Sequence, residues 1–523
     1  MNFSHRTNYA LILLLLILNI VLRLQVVRQE IGIDSFMMHM MTNSLTEYGY
    51  AKWVLHPLSL AGLYPYSYAS SVLFLISGIQ QTTSLEMNNV IFIYTILLSF
   101  LSVFTMYLMT SSFINDDFFK FISVFIFSTS PSIVSYTTYT IGTRPVVVIL
   151  APLLFYLLLS LKISTRKVTL ILISVSFLFV THHLFYFLIP IIIINIILNV
   201  LSYTRMTNLT TRKVLGQYSY MMFLLIPLLV FFVSFSFPFV FNKFLYDIGS
   251  KYNIIVPILH YVRYTGPSII YSVGGIVYLV FKQKKSVWEW LLLLSVLVLT
   301  AFTYIPTYMK WLIPVFLTPL AGMGIINFLK SQKVKYIPTL LIVILVINII
   351  FTGYYQFLGH QEQSYHEQEQ RYYERHIEES TYDTGMWIKQ FAHGNAISND
   401  RIIGFRISAV SDTTHFLVPY TPIVAIYGFT DTNLSLFQRY SLSSEEFWFN
   451  GYSGPDIGEK LWSDIHNTFP IYSNEFEIKY LVEEVKGNGN VVWNHRSFPS
   501  KIIEIAQKNN RIYDIGNIRI WQL

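Results

Sequence analysis

The sequence predicts a polytopic α-helical membrane protein of about eleven transmembrane helices with a C-terminal extracytoplasmic α/β domain. Three observations predict it. The 523 residues are 53% hydrophobic and only 12% charged, about half the ~25% of soluble proteins. Charge this scarce cannot coat a water-soluble body of this size, which excludes a soluble enzyme, a nucleic-acid binder and a disordered chain. The apolar runs are confined to residues 1–359, where 22 Lys/Arg face 8 Asp/Glu, a balance of +14. Residues 360–523 hold 14 Lys/Arg and 21 Asp/Glu, a balance of −7, at the charge density of an ordinary water-exposed domain. There is no cysteine, so disulfides and thiolate metal sites are not available.

A spanning helix needs about 20 mostly apolar residues. Such runs fall near 8–25, 89–110, 119–136, 145–161, 166–181, 184–201, 217–236, 267–281, 288–305, 309–329 and 337–355. The first has the shape of a signal peptide, with Arg6 ahead of an apolar run from Tyr9 to Leu22. It lacks a small-x-small cleavage site, and Arg23 and Arg28 follow directly, so it reads as an uncleaved anchor. Orientation follows from the positive charge. Fourteen of the 22 cations cluster in alternate short connections, at Arg6, Lys120, Lys162 to Lys167, Arg205 to Lys213, Lys282 to Lys285 and Lys330 to Lys335. That places the protein in the cell membrane, its N-terminus cytoplasmic and its acidic C-terminal domain outside. The other eight cations stand singly on the outer side: Arg23, Arg28, Lys52, Arg144, Lys243, Lys251, Arg263 and Lys310.

The longest connection of the membrane half, residues 26–88, is too apolar for a plain loop. Phe36, Met37, Met40, Met41 and Leu45 recur at near-helical spacing, and Ser70 to Ile79 is a second apolar segment too short to span. Both read as helices lying in the outer interface, joined through the turn-rich 56–68. The outer carboxylates are Glu30, Asp34, Glu47, Glu86 and Asp247. Glu30 and Asp34 are four residues apart, and a continuing helix would stack them on one face. An ionisable residue at the membrane boundary is a functional candidate; Asp34 also reads as the cap of the helix that follows.

In the C-terminal domain, 361–380 is a polar helix and 397–412 alternates helix and strand. Residues 478–485 read as a strand, and 511–523 as a hairpin turning at Ile515-Gly516-Asn517. No nucleophile triad, phosphate loop or zinc spacing occurs in it.

A first span leading outward, Gly32-Ile33-Asp34, two interfacial segments and the turn Tyr64-Pro65 resemble the GT-C glycosyltransferases. So does 308–325, where a basic residue is followed by Pro and a small-residue stretch on a late span, and so does the His pair His182-His183 at the outer end of a span. The tryptophan-tryptophan-aspartate motif of oligosaccharyltransferase catalytic subunits is absent, and the first loop holds no Asp-x-Asp. The resemblance implies transfer of a sugar from a polyprenyl-phosphate donor to a glycan, lipid or protein acceptor on the outer face, within membrane lipid and without nucleic acid. The leaving phosphate needs no strong acid; the acceptor hydroxyl needs a base, and the departing anion needs positive charge. Asp34 is the expected base, with Glu30 next, and a single displacement would invert the anomeric centre. Arg144, Lys310, Arg263, His182 and His183 are the candidates for the donor phosphate, and Glu47, His56 and Tyr64 for substrate binding. A divalent cation, Mg or Mn, held by Asp34 with His182 or His183 stays an open alternative. So do two other functions: a transporter or flippase for a lipid-linked glycan, and a non-catalytic membrane subunit of a glycan-assembly complex.

Overall fold

The computed structural model describes residues 4–24, 27–48, 71–159, 164–207, 261–302, 311–331, 337–360, 377–398, 401–411, 414–417, 478–485, 508 and 510–523. The expected span 217–236 lies outside them. The chain forms two compact units, one of residues 1–24, 96–137 and 144–356, the other of residues 25–95, 138–143 and 357–523.

The first unit is helical. It contains α1 (His5–Val21), the C-terminal part of α4 (Met87–Ser111), α5 (Asp117–Ser128), α6 (Pro131–Ser135), α7 (Arg144–Leu159) and α8 (Thr165–Thr181). A 3₁₀ turn (His183–Leu188) leads into α9 (Ile189–Thr207), and α10 (Ile270–Phe281), α11 (Val287–Phe302), α12 (Ile313–Ser331) and α13 (Ile337–His360) follow. Met87–Ser111 and Leu184–Leu201 are long and apolar enough to cross a membrane alone; His5–Val21, Arg144–Leu159, Pro267–Phe281, Val287–Thr300, Ile313–Leu329 and Leu341–Tyr354 are shorter apolar helices. Their outward faces carry bare apolar side chains, such as Tyr9, Leu13 and Ile17 on α1 and Ile270, Val273 and Phe281 on α10. Where α10 crosses α12 the backbones touch. A Cβ on Gly275 would meet the Leu320 carbonyl, and one on Gly324 the Tyr271 carbonyl. Small residues permit this approach between apolar helices, where packing supplies the attraction.

The run expected to span continuously over 119–136 is two helices, α5 and α6, broken at Thr129-Ser130 with Pro131 opening the second. A break in an apolar layer is tolerated only if the freed carbonyls find donors, and they do. Phe125 O accepts from Thr129 N and Oγ1, and Phe127 O accepts from Ser130 N and Oγ. Arg23 Nη2 donates to Ser128 O at 3.3 Å, and Thr352 Oγ1 donates to Thr129 O at 2.7 Å.

The second unit packs α2 (Ile33–Tyr48) against α3 (Ser71–Thr83) and against α15 (Arg401–Ser411). The buried side chains are Phe36, Met38, Met40 and Leu45 of α2 and Phe405, Ile407 and Val410 of α15. α14 (Glu379–Phe391) lies beside α15, and Arg406, almost wholly buried, donates to Glu378 at 2.9 Å. A five-stranded sheet completes the unit in the order β2-β1-β3-β5-β4, formed by Gly394–Ser398 (β1), Thr414–Leu417 (β2), Ile478–Glu484 (β3), Arg511–Asp514 (β4) and Ile518–Gln522 (β5). β1 is parallel to β2 and β3, whereas β3/β5 and β4/β5 are antiparallel. The expected hairpin at 515–517 is therefore present, with Gly516 at a φ of +90°. Gly516 N–H donates to Asp514 Oδ1 at 2.8 Å, and this bond, with the charges of Arg511 and Arg519, holds the Asp514 carboxyl below its ordinary value.

Candidate functional site

Asp34 and Glu30 do not share a helix face. Gly32 adopts a φ of +102°, a region that only glycine enters without strain, and helix forms only after it. The Gly32 carbonyl accepts from Ser35 N at 2.9 Å and Phe36 N at 3.2 Å, so α2 begins at the glycine and Asp34 is its second residue rather than its cap. Asp34 is exposed; Glu30 is fully buried. The Glu30 carboxylate is held instead by His39, whose Nδ1–H donates to Oε1 at 2.7 Å inside the protein. The sequence shows no such pair, because a separation of nine is not a helical contact and becomes one only when Gly32 folds residue 30 back over α2.

The segment bearing Asp34 is bolted to residues 139–142. Ile31 N donates to Tyr139 O at 2.9 Å, Tyr139 OH to Arg28 O at 3.3 Å, and Ile141 N to Ser35 Oγ at 2.8 Å. Tyr94 OH donates to Gly142 O at 3.1 Å. Tyr139 is buried with a φ of +45°, a costly conformation for a bulky residue. Its ring stands edge-on to Phe92.

The cationic candidates belong to the first unit. Arg144 is the first residue of α7, half-buried, with Pro145 following where a missing N–H costs nothing. Arg263 is exposed just ahead of Gly266. His182 and His183 follow directly on the end of α8. His182 is an extended residue between α8 and the 3₁₀ turn, buried, with its Nδ1 accepting from Leu184 N at 2.9 Å. That bond puts the proton of the neutral ring on Nε2. The side chains of His183 and Glu47, and all of His56, Tyr64 and Lys310, lie outside the described residues. Among the described residues no three of His, Cys, Asp and Glu gather to hold a metal.

Arg23, one of the eight cations that stand singly in the sequence, is not available to a ligand. It is wholly buried, donating from Nε to Thr137 Oγ1 at 2.7 Å and from Nη1 to Asn19 O at 3.1 Å and Asn19 Oδ1 at 2.7 Å, besides Ser128 O. Two of these acceptors are carbonyls at the C-terminal ends of α1 and α5, where the helix dipoles place negative charge. The guanidinium caps two helices at once.

The arrangement of helices and sheet matches solved structures. The oligosaccharyltransferase of Archaeoglobus fulgidus, tethered to an acceptor peptide containing the NVT sequon, superposes with a TM-score of 0.56 at 11% identity, over 92% of this chain and 69% of its own. The same organism's oligosaccharyltransferase in complex with an inhibitory peptide and a dolichol-phosphate gives 0.54 at 10% identity, over 91% and 69%. The chain shares the fold of these archaeal oligosaccharyltransferase structures. It is a mostly helical fold with a small C-terminal sheet, and Asp34 stands in the first turn of the first helix after α1. No family model matches the chain, and no curated protein matches it by sequence.

Proposed function

We propose that the protein is a glycosyltransferase that moves a sugar from a polyprenyl-phosphate-linked donor to an acceptor on the outer face of the membrane. The observation that carries this reading is Asp34: an exposed carboxylate in the first turn of α2, on a segment pinned by Ile31, Ser35 and Tyr139. A general base must be held rigidly yet be open to the acceptor hydroxyl, and an exposed Asp34 on a pinned segment fits that role. Support for the donor class comes from the fold shared with a protein solved with dolichol-phosphate.

In this reading Asp34 takes the proton from the acceptor hydroxyl as its oxygen attacks the anomeric carbon. The bond to the lipid phosphate breaks on the opposite face, inverting the centre. Arg144, Arg263, Lys310 and the His182-His183 pair are the groups assigned to the departing phosphate, Arg144 first because its planar fork matches phosphate oxygens. Glu47, His56 and Tyr64 are assigned to substrate binding. A divalent cation, if used, would supply charge at the same phosphate.

The test is turnover of purified protein with labelled undecaprenyl-phosphate- and dolichyl-phosphate-linked hexoses and pentoses, followed by release of the lipid phosphate. Asp34→Ala should lower kcat by about 10²–10⁴-fold, the range of general-base catalysis, and Arg144→Ala should lower kcat/KM for the donor. Full turnover by Asp34→Ala removes the base assignment. Inactivity with every donor, together with movement of a lipid-linked glycan across vesicles, favours a flippase.

A further inference from the structure

Glu30 is the second carboxylate of the outer segment, and its surroundings rule it out as a group that meets substrate. It has no exposed surface, one oxygen lies on His39, and Oε2 meets no hydrogen-bond donor among the described residues. Burying a carboxylate beside an imidazole is costly, and a well-packed apolar pair of the same volume would often be as stable or more so. What the pair supplies is a fixed geometry.

That geometry acts on α2. Ser35 and His39 are one helical turn apart and share the buried face; Ser35 accepts from Ile141 N, and His39 donates to Glu30. Asp34 lies about 140° around the helix axis from His39, on the exposed side. These two polar contacts, one from each end of a single turn, act with the buried packing of Phe36 and Met40 to set the rotation of α2 at its start, and that rotation sets where the Asp34 carboxylate points. A carboxylate is roughly 6 Å from the axis of its helix, so a turn of about 10° moves it by about 1 Å, a displacement that can cost about 10²-fold in rate.

We infer that Glu30 and His39 are a positioning pair which fixes the rotation of α2 and so aims Asp34, and that neither is itself a catalytic residue. The inference rests on the reading of Asp34 as the base. It predicts that Glu30→Ala, His39→Ala and the double variant each lower kcat by the same factor, about 10–10²-fold, with KM for the donor unchanged. Residues that act as one unit are non-additive. Glu30→Gln, which keeps an acceptor for His39 Nδ1–H, should recover most of the rate.

The deciding comparison is made in an Asp34→Asn background, with the same labelled lipid-phosphate sugars. There, adding Glu30→Ala should change nothing, because the group being aimed is gone. A further fall would mean that Glu30 acts on substrate by itself, and the inference is overturned. If Asp34→Asn alone keeps full turnover, it is the base assignment that fails, and the two failures are told apart. Hydrogen exchange on the full-length protein in detergent gives a reading independent of turnover. Glu30→Ala and His39→Ala should each speed exchange between Ile31 and Phe36, Glu30→Gln much less, and unchanged exchange in both alanine variants overturns the inference.

Discussion

Replacing Arg23 by methionine tests whether a buried cation serves the helices or the substrate. The side chain has no exposed surface and makes four hydrogen bonds, to Thr137 Oγ1, Asn19 O, Asn19 Oδ1 and Ser128 O. Methionine keeps much of the volume and removes every donor. Thr137 and Asn19 can turn toward other partners, but Ser128 O ends α5 at the break and Asn19 O lies in the last turn of α1. Each buried acceptor left bare costs about 1–3 kcal/mol. Against that, the desolvation penalty of the guanidinium is recovered. Two stranded carbonyls and two weakened side chains leave a net loss of about 2–4 kcal/mol. Thermal unfolding in detergent should show the midpoint falling by several degrees, while Lys284→Met, on an exposed residue, stays within about 0.5 kcal/mol of the parent. An unchanged melting midpoint for Arg23→Met, with a raised KM for a lipid-phosphate donor, would refute the clamp and make Arg23 a ligand.

Other variants probe the remaining contacts. Gly275→Ala puts a methyl group into the Leu320 carbonyl and should destabilise the α10–α12 crossing by about 1–3 kcal/mol, the cost of overpacking, measured as a lower melting midpoint. Ser35→Ala strips the acceptor from Ile141 N–H and should cost about 1–3 kcal/mol, with faster amide exchange at Ile141. Asp514 has its folded pKa depressed by the Gly516 N–H and by Arg511 and Arg519. Its contribution to stability is therefore complete above the unfolded value of about 4 and is lost as pH falls through the lower folded value. Protection of amides in 511–522 should decline below that pH in the parent and show no such step in Asp514→Asn.

Hydropathy and turn chemistry made much of the described fold legible. Apart from 119–136, and from 217–236 outside the described residues, the apolar runs and the β4–β5 turn depend on local pattern and lie within a few residues of their expected places. The break at Thr129-Ser130 escaped because it depends on partners far along the chain. Nothing in 119–136 announces that Arg23 and Thr352 will supply donors to Ser128 O and Thr129 O. Pro131 was the local hint, but proline can bend a helix as well as end one. The C-terminal sheet order was out of reach for the same reason, since β1 pairs with β3 across some eighty residues of chain.

The site shows the same division at the scale of one residue. Spacing put Glu30 and Asp34 together, and one glycine parts them. Had residue 32 carried a side chain, a positive φ there would cost about 1–2 kcal/mol and the helix could extend back through Glu30, stacking both carboxylates on one side. With Gly32 at +102° the chain folds back, Glu30 enters the interior against His39, and Asp34 alone remains exposed. Choosing between two carboxylates was thus a question about backbone conformation, which the identity of residue 32 permits but does not dictate. What dictates it is the set of bonds from residues 139–142 to Ile31, Ser35 and Arg28, more than a hundred residues away in the chain. A Gly32→Ala variant should therefore lose activity through misplacement of Asp34, and its rate should not be restored by any change at Glu30.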